Sequence, residues 1–152
     1  MVGLNHDFMI IESETFSLNN YEEYQETDHV EIHDDLLRYF ADSISWVSSY
    51  NPCKEENTTG LCWYGSTLIL PESVGKFESI ISGWLLIFSE APGIMTLKGG
   101  WFCSEGDPPD SGSYEKLSFR KIELVEKLSK LISYCESIRV SGGRRCLLHL
   151  GI

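Results

Sequence analysis

The sequence predicts an α+β fold: a single domain in which a mixed or antiparallel sheet of about four to six strands packs against three helices. Three observations support that class. The chain of 152 residues is 42% hydrophobic and carries four Trp, which suits one buried core of ordinary size and argues against disorder. Long stretches after Pro71 and Lys121 repeat apolar residues at steps of three and four, the period of an amphipathic helix. Around them lie short runs rich in aromatic and β-branched residues, mixed with the helices without strict alternation.

Taken in order, residues 5–11 read as a strand. Glu12 to Asp28 has no clean period and reads as a loop with a helical turn near 20–25. Val30 and Ile32 alternate with polar neighbours, as in a brief strand. A helix is expected from Asp34 to about Ser48, with Asp34 and Asp35 in its first turn and Leu36, Leu37, Phe40, Ile44 and Val47 as its stripe. Tyr50-Asn51-Pro52 ends it, residues 54–60 read as a polar loop, and residues 61–70 as a strand bent at Gly65.

The central helix starts at Pro71, which suits a first helical position, with Glu72 favouring the positive end of the dipole. Val74, Phe77, Ile81, Trp84, Leu85 and Phe88 line one face, and Ala91-Pro92-Gly93 stops it. Gly75 and Gly83 weaken a bare helix by about 1 kcal/mol each, which predicts close packing against a neighbour there. Ile94 to Cys103 is a strand broken by Gly99-Gly100, residues 104–113 a long turn, and Tyr114 to Phe119 the second arm of a hairpin. Lys121 to about Ile138 is a helix with Leu124, Leu128, Leu131, Cys135 and Ile138 inward. Its Glu123–Lys127 and Glu126–Lys130 pairs contribute about 0.2–0.5 kcal/mol each. After Ser141-Gly142-Gly143, residues 144–150 form a terminal strand. The single domain thus spans 1–152, with an acidic third, 1–53, packed on a core, 61–152.

The net charge is −11, and residues 1–53 hold eleven Asp and Glu against a single Arg38. A pole of this sign repels nucleic acid and anionic membrane and steers basic partners. No apolar run reaches the length of a membrane span. Asp7 among the first residues, without Lys or Arg, does not fit a secretory signal. The five widely spaced Cys fit free thiols in a reducing compartment, so the expected location is cytoplasmic and the Asn57-Thr58-Thr59 sequon reads as chance.

Motifs for chemistry are sparse. His29-x-x-x-His33 has the spacing of a two-imidazole metal pair, but it lies at a loop-to-helix junction and lacks the Glu of the usual motif. Cys146 and His149 would face opposite sides of a strand, which argues against a nucleophile–base pair. Neither a nucleophile elbow nor a phosphate loop is present. Glu105, Asp107 and Asp110 miss the calcium-loop spacing and read as solvated turn acids. No metal, cofactor or catalytic residue is expected.

What remains is the acidic run Glu22, Glu23, Glu26, Asp28, Glu31, Asp34 and Asp35, with Tyr21 and Tyr24 interleaved. Most charge runs only solubilise. Acids this dense also repel one another, and Tyr beside charge is the composition of a recognition surface. In size, acidity and compact core, the chain resembles the immunity proteins of bacterial contact-dependent and other polymorphic toxin systems. That resemblance implies a cytoplasmic, non-enzymatic protein that binds and neutralises a toxin, such as a nuclease with a basic cleft. The other expectations are a small hydrolase or transferase using Cys146, His149 or His33, and a structural subunit with Trp63, Tyr64 or Trp101 in a permanent interface.

Overall fold

A computed structural model describes residues 4–14 and 16–152, with the side chains of Leu18, Tyr21 and Gln25 also outside the description. The elements are β1 (Asn5–Glu12), a 3-10 turn (Leu18–Asn20), α1 (Tyr21–Glu26), β2 (Val30–His33), α2 (Asp34–Arg38), α3 (Ala41–Ile44), β3 (Ser48–Asn51), β4 (Glu56–Thr59), β5 (Ser66–Ile69), α4 (Pro71–Ser89), β6 (Ile94–Phe102), β7 (Ser113–Arg120), α5 (Lys121–Arg139) and β8 (Arg145–Leu150). The class is α+β. A six-stranded sheet runs in the order β2-β1-β8-β5-β3-β4, every pairing antiparallel, and β6 and β7 form a separate two-stranded hairpin.

The C-terminal strand β8 sits inside the sheet between β1 and β5. It is buried on both faces, which is why its sequence is a nearly unbroken apolar run. On one face, Leu147 joins Phe8, Val30, Ile32 and Ile69 under the paired helices α4 and α5. Their stripes, Val74, Phe77, Ile81 and Phe88 on α4 and Leu124, Leu128, Leu131, Cys135 and Ile138 on α5, are buried there. Each such side chain stabilises the fold by about 1.5–3 kcal/mol.

On the opposite face, Met9, Ile11, Leu68, Cys146, Leu148 and Leu150 form a second cluster, packed against Tyr24, Phe16 and Tyr50. The segment between β1 and β2 therefore doubles back as a cover for this face. Phe16 and Tyr24 stack at 5.9 Å, and the Tyr24 hydroxyl accepts the Ser17 amide. Residues 1–53 also supply β1, β2 and β3, so the acidic third is woven into the sheet rather than laid on a finished core.

Three local expectations are corrected. The helix expected from Asp34 to Ser48 breaks into α2 and α3 and gives way to β3. Ser43 and Ser45 donate to the carbonyls of Phe40 and Asp42, the local competition that makes Ser a poor helix former. The stripe residues Leu36, Leu37, Phe40, Ile44 and Val47 are nonetheless all buried. Residues 54–60 are not simply a loop, because the Asn51 side chain accepts the Cys53 and Lys54 amides and turns the chain back as β4. The strand expected over 61–70 is confined to β5. The preceding turn lies against Gly151, where a Cβ would stand 2.2 Å from the Trp63 carbonyl oxygen.

The close packing expected at Gly75 and Gly83 is absent. A Cβ on Gly75 would meet only Arg139, at an ordinary 3.9 Å, and one on Gly83 would meet nothing within 4 Å.

Candidate functional site

The acids of the expected binding surface divide into three groups. Glu22, Glu23 and Glu26 are exposed on α1, beside the buried Tyr24 that pins this helix to the sheet. Among the described residues, no Lys or Arg lies within ion-pair distance of these three carboxylates. The Tyr21 side chain lies outside the described residues.

The second group is exposed or half-buried but engaged. Asp28 accepts from Lys130 Nζ at 2.6 Å and from the Tyr134 hydroxyl at 2.7 Å. Those two bonds hold the Asp28 carboxyl below its ordinary pKa, and burial followed by Asp28 pushes Tyr134 up to about 12. Glu31 lies 3.2 Å from His29 Nε2, while Asp35 is tied down through its backbone N–H, which donates to His33 Nδ1 at 3.1 Å.

Asp34 stands alone in the third group, and here the expectation of a surface role is corrected. It is 4% exposed. Its Oδ1 accepts from His6 Nε2 at 3.0 Å and Trp63 Nε1 at 2.5 Å, and its Oδ2 from Arg38 Nε at 2.9 Å. Burial alone would raise the Asp34 pKa, but the bonds from His6 and Trp63 and the Arg38 charge outweigh it and hold the carboxyl low. Tyr24 is also internal, at 8% exposure.

Behind Asp34 runs a buried chain of imidazoles. His6 Nδ1 stands 2.9 Å from His149 Nε2, with the two rings stacked at 5.2 Å. Burial, followed by the neighbouring His6, lowers the His149 pKa to about 3 and keeps it neutral. If His6 donates to Asp34, its Nδ1 accepts from His149 Nε2–H. The unpartnered His149 Nδ1 is then a bare lone pair, the cheaper kind of orphan. No separation in sequence announces this cluster; the single polar residue inside Leu147-Leu148-His149-Leu150 is its one local signal.

A groove of about 560 Å³ borders Asp34 on the outside, between α2 and the β6–β7 hairpin, lined also by Arg38, Tyr39, Lys98 and Glu115. The hairpin base is rooted by buried Met95 and by Leu97 and Phe119 against the core. From Lys98 to Lys116 no residue is buried. Trp101, Phe102 and Tyr114 are 49%, 59% and 48% exposed, with Lys98 Nζ 3.6 Å from the centroid of the Tyr114 ring.

The chemistry-bearing pairs of the sequence are not assembled. Cys146 and His149 face opposite sides of β8, and burial pushes the Cys146 thiol up to about 11. His33 accepts the Asp35 amide as the cap of α2, while His29 turns to Thr27 and Glu31, so the two have separate partners. Comparison with protein-family models, curated proteins and solved structures returned no match. Among the described residues, no helix is long and apolar enough to cross a membrane.

Proposed function

We propose that this protein is a cytoplasmic, non-enzymatic inhibitor of the immunity-protein kind, which binds a basic toxin domain and covers its active surface. The observation that carries this reading is the trio Glu22, Glu23 and Glu26, exposed on an anchored helix with, among the described residues, no Lys or Arg at ion-pair distance. A fixed, uncompensated array of one sign costs self-repulsion in the free protein, and that cost is relieved when a basic surface docks. The groove of a nuclease, lined with Lys and Arg to hold phosphate, has the required chemistry.

The hairpin supplies the second element of an interface. Trp101, Phe102 and Tyr114 are the residue types that anchor protein contacts, and a projecting ribbon presents them without disturbing the core. The burial of Cys146 and His149 favours this reading over a hydrolase or transferase. A permanent assembly subunit would use Tyr64 and Trp101, both exposed, with Trp63 instead half-buried against Asp34. Sedimentation separates the two: a monomer supports the inhibitor, and a stable homo-oligomer supports the subunit.

The test is to capture the partner from the native host on immobilised protein, identify it by mass spectrometry, and assay its toxicity with and without this chain. Stoichiometric loss of toxicity is the expected result. A bound partner whose activity is untouched contradicts the proposal.

A further inference from the structure

On the outer face of the sheet edge, Asp7 of β1 and Glu31 of β2 are direct cross-strand partners. Like charges placed opposite one another destabilise a strand pair unless a cation stands between them. The His29 ring lies beside both carboxylates: one of its nitrogens, a carboxylate oxygen of Asp7 and one of Glu31 all lie within 4.8 Å of one another, with Nε2 on the Glu31 side.

The neighbours of these groups are arranged as outer-shell supports. His29 Nδ1 lies 2.7 Å from the Thr27 carbonyl oxygen, which can only accept, so Nδ1 carries the proton and the Nε2 lone pair is free for a ligand once the ring is neutral. Asn5 Nδ2 donates to the second oxygen of Glu31 at 3.3 Å. Orientation of an imidazole by a carbonyl and of a carboxylate by an amide is the usual support around metal ligands. Among the described residues, no hydrogen-bond donor reaches the half-buried Asp7 carboxylate.

We propose that Asp7, His29 and Glu31 form a binding site for a divalent transition-metal ion such as zinc. One nitrogen and two oxygen ligands suit a borderline cation better than calcium or magnesium, which take oxygen alone. The Nε2–Oε1 separation of 3.2 Å already matches the spacing of about 3.3 Å set by metal–ligand bonds of about 2.0–2.1 Å at a tetrahedral angle. Side-chain rotation closes the remaining gap to Asp7. With the His29 and Glu31 side chains 25% and 49% exposed, the fourth position opens to water. Glu31 therefore belongs to this site rather than to the free acids of α1.

The experiment is equilibrium binding of Zn²⁺, Co²⁺ and Mg²⁺ to the full chain after removal of bound metal with a chelator, at fixed neutral pH. The expected result is one Zn²⁺ or Co²⁺ per chain and no comparable binding of Mg²⁺. Loss of an outer-shell support costs about 10–100-fold in affinity, so Asn5→Ala should fall in that range. Loss of a ligand, in His29→Ala or Asp7→Asn, should cost at least about 100-fold. The Glu22→Gln/Glu23→Gln/Glu26→Gln variant and Cys53→Ser should bind as the wild type does. Circular dichroism establishes that each variant is folded, and either ligand variant alone suffices. Undiminished binding in a folded His29→Ala or Asp7→Asn, binding lost in Cys53→Ser, or no saturable binding of Zn²⁺ overturns the assignment. None of these results bears on the toxin-binding reading, which rests on α1 and the hairpin.

Discussion

A carboxylate buried among donors and one held in water respond differently to substitution, and the acidic run contains both. Asp34→Ala strands the Nε2–H of His6 and the indole of Trp63, and hydrogen bonds to a charged group are worth about 1.5–3 kcal/mol. The expected loss of stability is about 3 kcal/mol, measured by urea unfolding. Glu22→Ala should stay within about 0.5 kcal/mol of the wild type, because its side chain is exposed. A buried acid looks the same as an exposed one in a charge run. What distinguishes Asp34 is His6 and Trp63, which arrive from other elements, so its role was not legible locally.

His149 makes a second prediction at this scale. Its pKa falls from 6.5 in the unfolded chain to about 3 in the fold. Between those values the unfolded chain binds a proton that the native protein excludes. The His149 contribution is therefore complete above about pH 6.5 and declines as pH falls, by at most about 1.4 kcal/mol per unit. His29 works in the opposite direction, because its hydrogen bond to the Thr27 carbonyl raises its pKa. Comparison of the wild type with His149→Gln subtracts that term. Between pH 6.5 and 5 the variant should show a flatter dependence of the urea midpoint. An unchanged slope would mean that His149 is protonated inside the fold.

At the level of elements, legibility follows the length and strength of the periodic pattern. The helices starting at Pro71 and Lys121 and the terminal strand were readable because one buried face repeats through many residues. The stretch from Asp34 to Ser48 carries a helical pattern of burial without a continuous helix, since Leu36 to Val47 reach the core through two short turns. Strand β4 left no apolar signature because it is a polar sheet edge, defined by its turn rather than its faces. The hairpin was visible as two arms around a Pro/Gly turn, while its projection was not, because the tertiary context decides which aromatics are covered. Trp101→Ala/Phe102→Ala should leave the unfolding midpoint nearly unchanged, as both side chains are exposed. If the hairpin is an anchor, the same variant weakens the isolated partner by about 2 kcal/mol or more. Equal affinity in a calorimetric titration would remove the hairpin from the interface.

Across the whole molecule, β8 closes the sheet between β1 and β5, so strands far apart in sequence are fixed to each other. The fold class was legible because composition and periodicity report layers; the strand order was not, since it depends on pairings far apart in sequence. Charge, by contrast, was legible in amount but not in use. Of the seven acids in the run from Glu22 to Asp35, the structure engages the carboxylates of Asp28, Glu31 and Asp34, holds Asp35 by its backbone N–H on His33, and leaves Glu22, Glu23 and Glu26 facing outward. The central claim is that these three steer a basic partner. The measurement closest to it is the rate of association with the captured partner, followed by stopped flow at low and physiological salt. The wild type should associate well above the neutral range of about 10⁵–10⁶ M⁻¹s⁻¹ at low salt and slow steeply as salt rises. Glu22→Gln/Glu23→Gln/Glu26→Gln should be slower at low salt and less sensitive to it. A wild-type rate indifferent to salt, or a triple variant that associates as fast as the wild type, would contradict the account.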